Sequence, residues 1–213
     1  MARQERALRT RNALVESAAE LFDRDGFETA SLATISARAG VSNGALHFHF
    51  ASKAALADAV REAAAERLTR ITEGGARHAD SGALQMLIDI SHTLVRGFGQ
   101  DVVLRAGFDL GGREPAGAVT NLCAHWQTWV QAAFAAADRE GELAPGISAR
   151  DAALTVVGAV AGFKALGGRD PEWLSPETVT RFWGLLLPRV ATELALDALV
   201  PSGTAAAGEA LRF

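Results

Sequence analysis

A chain of 213 residues, 49% apolar and 22% charged, is long enough for one sizeable domain or two small ones and has ample material for a core. No window approaches the roughly 18 uninterrupted apolar residues of a membrane span. The N-terminus "MARQERALRTRNAL" is charged and lacks the apolar core of a signal peptide, so the chain reads as cytoplasmic, without a membrane partner. The net charge of −4 argues against a polyanionic partner only on average.

The charge is unevenly spread. Residues 1–14 hold four arginines against one glutamate; residues 1–53 hold seven basic against six acidic groups, and the remainder 14 against 19. Such a basic end on an acidic chain is either the footprint of polyanion binding or a solvated, frayed terminus.

Leu14, Ala18, Leu21 and Phe22 share one helical face, and Gly26 marks the stop of that first helix. Thr29 or Ser31 can cap a second short helix through Ala39, with Leu32 and Ile35 inward. Gly40 ends it, and Ser42 can cap a third helix starting at Asn43. From Ser52 a longer helix follows through Leu56, Val60, Leu68 and Ile71 until "EGGAR" breaks it near Gly74 and Gly75. Helices are then expected near 81–98 and 101–110, followed by a loop "GGREPAG".

The next helix, to about Glu140, has a clear apolar face in Val119, Leu122, Cys123, Trp126, Trp129, Val130, Ala133 and Phe134. Ser148 or Asp151 opens a further helix in which "AALTVVGAVAGF" is apolar nearly all round, as in a helix buried on several sides. Within it Gly158 and Gly162 would let another backbone approach. The last helical region starts at Ser175 and Pro176, and Pro188 should kink or divide it. The tail from 201 is too small and polar to pack and is expected to be mobile. With no alternating apolar runs, the expected fold is all-α: a three-helix module over 1–52, a larger helical body over 53–200 and a tail over 201–213.

The stretch "AGVSNGALHFHF" carries the functional argument. A helix-turn-helix needs a tight turn and a few wedged apolar side chains; Gly40 supplies the turn, and Ile35, Val41 and Leu46 the wedge. Its second helix would lay Ser42, Asn43, Gly44 and Ala45 against base edges of double-stranded DNA. Asn43 could pair with adenine, while Gly44 and Ala45 keep the surface thin. Arg9, Thr10, Arg11, Ser31, Ser42 and Lys53 suit phosphate contacts, with the helix end near Ser52 as a further anion site. By spacing alone an ordinary three-helix packing unit competes with this reading.

The run "TRNALVESAAELFDRDGFETASLATISARAGVSNGALHFHFASKAAL", residues 10–56, resembles the DNA-binding domain of TetR-type repressors. The resemblance implies a homodimer, an N-terminal helix-turn-helix and a C-terminal helical domain whose small-molecule ligand lowers DNA affinity. The family usually has tyrosine at the position of His47 and frequently lysine at that of Asn43, which puts the phosphate contact and the operator sequence of this chain apart.

Histidines at i and i+2 point about 200° apart on a helix, so His47 and His49 do not chelate one metal. His47 is assigned to the surface, on phosphate, and His49 to packing. His78 and His92 read as solvated or core residues. Cys123 and His125, with His92, are the only seed for a metalloprotein or enzyme, and "CAH" lacks the spacing of a zinc site. The lone Cys123 reads as a small buried hydrophobe. No metal, cofactor or catalytic activity is expected.

"MARQERALRTR", "GALHFHF", "VVLRAGFDL" and Trp126 resemble the gamma-butyrolactone autoregulator receptors of actinomycetes, a TetR subfamily that controls antibiotic production. This implies a lactone effector packed on Trp126, or an antibiotic if the chain is of the related pseudo-receptor type. Leu87, Cys123, Val130 and Phe163 are the further pocket candidates. Val157, Gly158, Gly162, Phe182, Trp183 and Leu186, in the last two apolar helices, are the candidates for dimerisation, which would demand a pseudo-palindromic operator.

Overall fold

The computed structural model describes residues 2–76, 82–111 and 121–204. The expected loop from 112, Val119, His78 and the tail beyond 204 lie outside the described residues. Ten α-helices carry the described chain: α1 (Ala2–Asp25), α2 (Leu32–Arg38), α3 (Asn43–His49), α4 (Lys53–Ala76), α5 (Ala83–Gln100), α6 (Val102–Gly111), α7 (Leu122–Arg139), α8 (Ala149–Gly167), α9 (Pro176–Val190) and α10 (Glu193–Ala198). A 3₁₀ turn spans Pro171–Leu174. The helices divide into two compact units, residues 1–67 with 101–123, and residues 68–100 with 124–213.

In the first unit, Leu14, Leu21, Ile35, Leu46, Phe50 and Leu56 form the core. The basic N-terminal segment is not a frayed end, because α1 runs unbroken from Ala2 and carries Arg6 and Arg9 on its exposed side. The segment α6 packs beside α1, where Arg105 donates two hydrogen bonds to Asp23 at 3.0 Å. Its own first turn is capped by Asp101, which accepts from Val103 N at 2.9 Å and Leu104 N at 3.1 Å and also pairs with Arg67 at 2.6 Å. Gly107 is required by close approach: a Cβ there would stand 2.2 Å from Cβ of Ala64 on α4.

Helix α4 is described through Ala76, within the "EGGAR" stretch expected to break it. Helix α8 is not covered all round within the chain. Ala153, Val156, Val160 and Phe163 face inward, whereas Leu154, Gly158 and Ala161 are exposed and nothing lies within 4 Å of a Cβ built at Gly158 or Gly162.

The helix enclosed on nearly all sides is α5. Helices α8 and α9 and the 3₁₀ turn all pack on it. Its buried polar groups are satisfied one by one. Ser91 Oγ donates to Leu87 O at 2.7 Å and Thr93 Oγ1 to Asp89 O at 2.9 Å. Glu142 reaches back to accept from Leu84 N at 2.8 Å, serving a first-turn N–H that the helix itself cannot. Burial, the leading effect, raises the Glu142 carboxyl above its ordinary range.

The start of the tail is also corrected: residues 201–204 are pinned across α5. Asp89 accepts from Thr204 N at 2.8 Å and from Thr204 Oγ1 at 2.6 Å. Gln85 accepts from Val200 N at 2.8 Å, and His92 Nε2 donates to Pro201 O at 2.9 Å. The α9–α10 junction is held similarly, with Thr192 N donating to Glu142 O at 2.8 Å and Ala144 N to Val190 O at 2.9 Å. Pro188 lies in the last turn of α9, which ends two residues later.

Burial pushes the His92 imidazole below its usual pKa, partly opposed by the bond to Pro201 and lowered further by Arg96, while Asp89 raises it. A lowered histidine stabilises the fold above its unfolded value, about 6.5, and loses that contribution as pH falls through its folded value. Thermal midpoints measured from pH 7.5 to 5.5 should therefore fall more steeply for the wild type than for His92→Gln.

Candidate functional site

The first site grows from two serines and one glycine. Ser31 ends an extended segment and accepts from Thr34 N at 3.1 Å, which starts α2; Ser42 accepts from Ala45 N at 3.1 Å, which starts α3. Between them Gly40 takes φ +67°, a left-handed conformation open to glycine without penalty, and Val41 N returns to Ser36 O at 3.0 Å. Of the three residues expected to form the wedge, Ile35 and Leu46 are fully buried and Val41 is half-buried.

This arrangement leaves one face of α3 uncovered. Asn43, Gly44, His47 and Phe48 are exposed and Ala45 is half-buried. The sequence reading passed over Phe48, although its side chain is 82% exposed, set edge-on to His49 at 5.3 Å. An outward phenylalanine four residues after Gly44, on the same face, was the available signal. His49 is half-buried between Phe48 and Phe50.

The groups expected on phosphate are not equivalent. Arg9 is exposed on α1. The Arg11 guanidinium lies over the Phe50 ring at 5.4 Å and 4.0 Å from Glu62, so it is held near α3 and α4. Thr10 gives its only hydroxyl proton to Arg6 O at 3.0 Å, which leaves it no donor for a phosphate. Lys53 corrects the expectation most clearly. Its Nζ donates to Phe27 O at 2.8 Å, Glu28 O at 3.0 Å and Ala30 O at 3.1 Å while lying 4.6 Å from the centre of the Phe27 ring. An ammonium has three protons, and all three are engaged on the turn between α1 and α2.

The second site lies in the second unit. Trp126 is buried and stacked on Trp129, with ring centroids 5.4 Å apart, and its Nε1 has no hydrogen-bond partner among the described residues. Leu87 and Val130 are fully buried and Phe163 nearly so, its ring edge-on to Phe182 at 5.7 Å. Cys123 is exposed, contrary to expectation, because α7 turns Leu122, Trp126 and Val130 inward and residue 123 falls beside that stripe. It is therefore neither a buried hydrophobe nor a wall of an apolar pocket. His125 is exposed too, and no group of three metal-ligating side chains stands together among the described residues.

Among the dimerisation candidates, Gly158 is exposed and Val157, Gly162, Phe182 and Leu186 are half-buried. Trp183 is 0% exposed and packs edge-on to Phe182 within its own chain, so it is not a surface contact. Leu185, 81% exposed on α9, and Leu154 and Leu166 on α8 are outward apolar groups of these two helices that the sequence reading did not single out. No helix among the described residues is long and apolar enough to cross a membrane.

Comparison with known proteins matches residues 14–60 to the bacterial regulatory proteins of the tetR family. The A-factor receptor protein of Streptomyces griseus is 28% identical over 208 residues, covering 95% of this chain and 71% of the relative. The crystal structure of a gamma-butyrolactone receptor (ArpA-like protein) superposes with a TM-score of 0.80 at 28% identity, covering 92% of this chain and 96% of that one. CprB of Streptomyces coelicolor, in complex with its operator sequence, does so with a TM-score of 0.76 at 29% identity over 90% and 93% of the two chains. Residues 14–60 thus match the N-terminal domain of the tetR family of bacterial regulatory proteins, and the chain as a whole is similar to the butyrolactone receptors.

Proposed function

We propose that the protein is a ligand-responsive transcriptional repressor that binds a pseudo-palindromic operator as a homodimer and is released by a butyrolactone-type effector, in the control of secondary metabolism. The observation that carries this reading is the thin, uncovered face of α3, with Asn43, Gly44, His47 and Phe48 exposed on a helix anchored by Leu46. Residues 1–52 supply the DNA contacts and residues 53–200 the effector and dimer contacts. The similarity to an A-factor receptor and to an operator-bound regulator supports both halves.

In this reading Asn43 and Gly44 meet base edges, Phe48 meets a thymine methyl or sugar, and Arg9, Arg11, Ser31, Ser42 and His47 meet phosphate. A second copy covers the outward stripe of α8 and α9, with Leu154, Gly158, Phe182 and Leu185 at its centre. Two α3 helices related by a two-fold axis then read half-sites an integral number of helical turns apart.

The effector is bound where Trp126 offers an indole N–H that has no partner among the described residues. A buried donor without a partner costs about 1–3 kcal/mol, and an acceptor such as a lactone carbonyl recovers it. Effector binding releases DNA by favouring a state whose reading helices are wrongly spaced, and the loss of DNA affinity is bounded by the effector's differential affinity for the two states.

A band-shift titration on the upstream region of the protein's own gene tests the reading. It should give a salt-sensitive, sequence-preferring complex, and binding of all sequences alike would contradict it. Arg9→Ala should weaken every sequence about equally and reduce the salt slope by about one. Lys53→Met should lower the thermal midpoint and leave the salt slope unchanged, since its ammonium is occupied by carbonyls. Thermal-shift screening against gamma-butyrolactones and polyketide antibiotics identifies the effector class. Trp126→Phe, which keeps the ring and removes the N–H, should weaken the stabilising compound by about tenfold.

A further inference from the structure

Most arginines of the first unit are answered by the protein itself. Arg24, Arg38, Arg61, Arg67 and Arg105 each lie against an aspartate or glutamate, and Arg11 lies between Glu62 and the Phe50 ring. Arg6 and Arg9 differ. Both are exposed on α1, and among the described residues neither guanidinium makes a hydrogen bond or ion pair. Glu5, four residues before Arg9 and also exposed, forms no pair with it.

This placement works against the helix that carries it. Residues three apart are neighbours on a helix, with Cβ atoms about 5–6 Å apart, so two unneutralised guanidiniums there repel. The aligned peptide dipoles put positive partial charge on the first turn, immediately before Arg6, which favours acids and disfavours cations. Yet α1 is helical from Ala2, well ahead of residues 14–60 that match the tetR family. A polyanion lying along this part of α1 would remove both penalties.

We propose that Arg6 and Arg9 form a clamp on the sugar–phosphate backbone of double-stranded DNA beside the bases that α3 faces. The clamp adds affinity and carries no sequence preference, because phosphates are alike at every base pair. Its position follows from Arg11, whose guanidinium lies 5.4 Å from the ring centre of Phe50, the residue that ends α3. Arg6 is five residues further along α1, about 7.5 Å at the helical rise. That is the rise of about two base pairs of duplex, so the contacted DNA extends past the half-site. The inference goes beyond the assignment of Arg9 to phosphate and rests on the reading of α3 only for where the duplex lies.

The test uses full-length protein, a fluorescent duplex from the upstream region of its own gene and a scrambled duplex of equal length, each titrated over a salt series. Arg6→Gln should reduce the slope of log affinity against log salt by about 0.9 per bound chain on both duplexes. The ratio of specific to scrambled affinity should stay as in wild type, and Arg6→Lys should restore the slope. Without DNA, the thermal midpoint of Arg6→Gln should be equal to wild type or higher, since a repulsion is relieved. On a duplex trimmed at both ends to the half-sites, wild type and Arg6→Gln should bind alike.

Equal slopes for wild type and Arg6→Gln on the untrimmed duplexes would overturn the clamp. So would a lower thermal midpoint without DNA, which would mean that Arg6 serves the fold, or a changed specificity ratio, which would mean that it meets a base edge. A slope difference that survives trimming would overturn the flanking position. If wild type prefers no sequence but the slope difference on scrambled DNA remains, the base-reading assignment of α3 fails and the clamp stands. If preference remains and the slopes coincide, the clamp alone fails.

Discussion

The bend at Gly40 is the constraint on which the DNA-facing half of the molecule depends. At φ +67° the backbone reverses within three residues, Val41 N closes on Ser36 O, and Ser42 is delivered in extended conformation to cap α3. A side chain at residue 40 would find space, since nothing lies within 4 Å, but it would meet the intrinsic penalty of about 1–2 kcal/mol for a left-handed residue. Once the bend is set, burial of Ile35 and Leu46 against the α1 core fixes the face of α3 that points away from the protein. The same bend brings Ser36 and Asn43, seven positions apart in sequence, within hydrogen-bond reach.

The three bonds from Lys53 complete this architecture from the other side. They gather the carbonyls of residues 27, 28 and 30 at the entrance to α2, where the backbone itself adds a bond from Ala30 N to Gly26 O at 3.3 Å. In the second unit α5 plays the comparable organising part. Its buried Gln85, Asp89 and His92 would be costly if unpaired, and residues 200–204 provide their partners. Trp126 Nε1, like Trp183 Nε1, has no hydrogen-bond partner among the described residues.

What was legible in the sequence were the features encoded within a few residues. Ser31, Ser42 and Ser148 each precede an apolar periodicity and each caps the helix that follows. Gly40 between two such signals specified the turn. What escaped was encoded over distance. Lys53 lies 23 to 26 residues from the carbonyls it binds, so a lysine near a DNA-binding motif looked like a phosphate contact. The tail looked unable to pack because the buried polar groups of α5 that hold residues 200–204 lie more than a hundred positions earlier in the chain. Helix α8 reads as apolar nearly all round, and periodicity alone does not tell which of its faces the chain itself covers. Trp183 and Leu185 sit two residues apart on α9, and only the packing of that helix tells which faces in and which faces out.

The account stands on the claim that α3 reads base edges as one of a symmetric pair. Selection of bound duplexes from a random DNA pool by the full-length protein tests it most directly. The enriched sequences should form a two-fold-related pair of half-sites separated by whole helical turns, with a base preference in each that is lost in Asn43→Ala. Recovery of a pool with no shared sequence, or of a motif indifferent to changes at Asn43, His47 and Phe48, would contradict it.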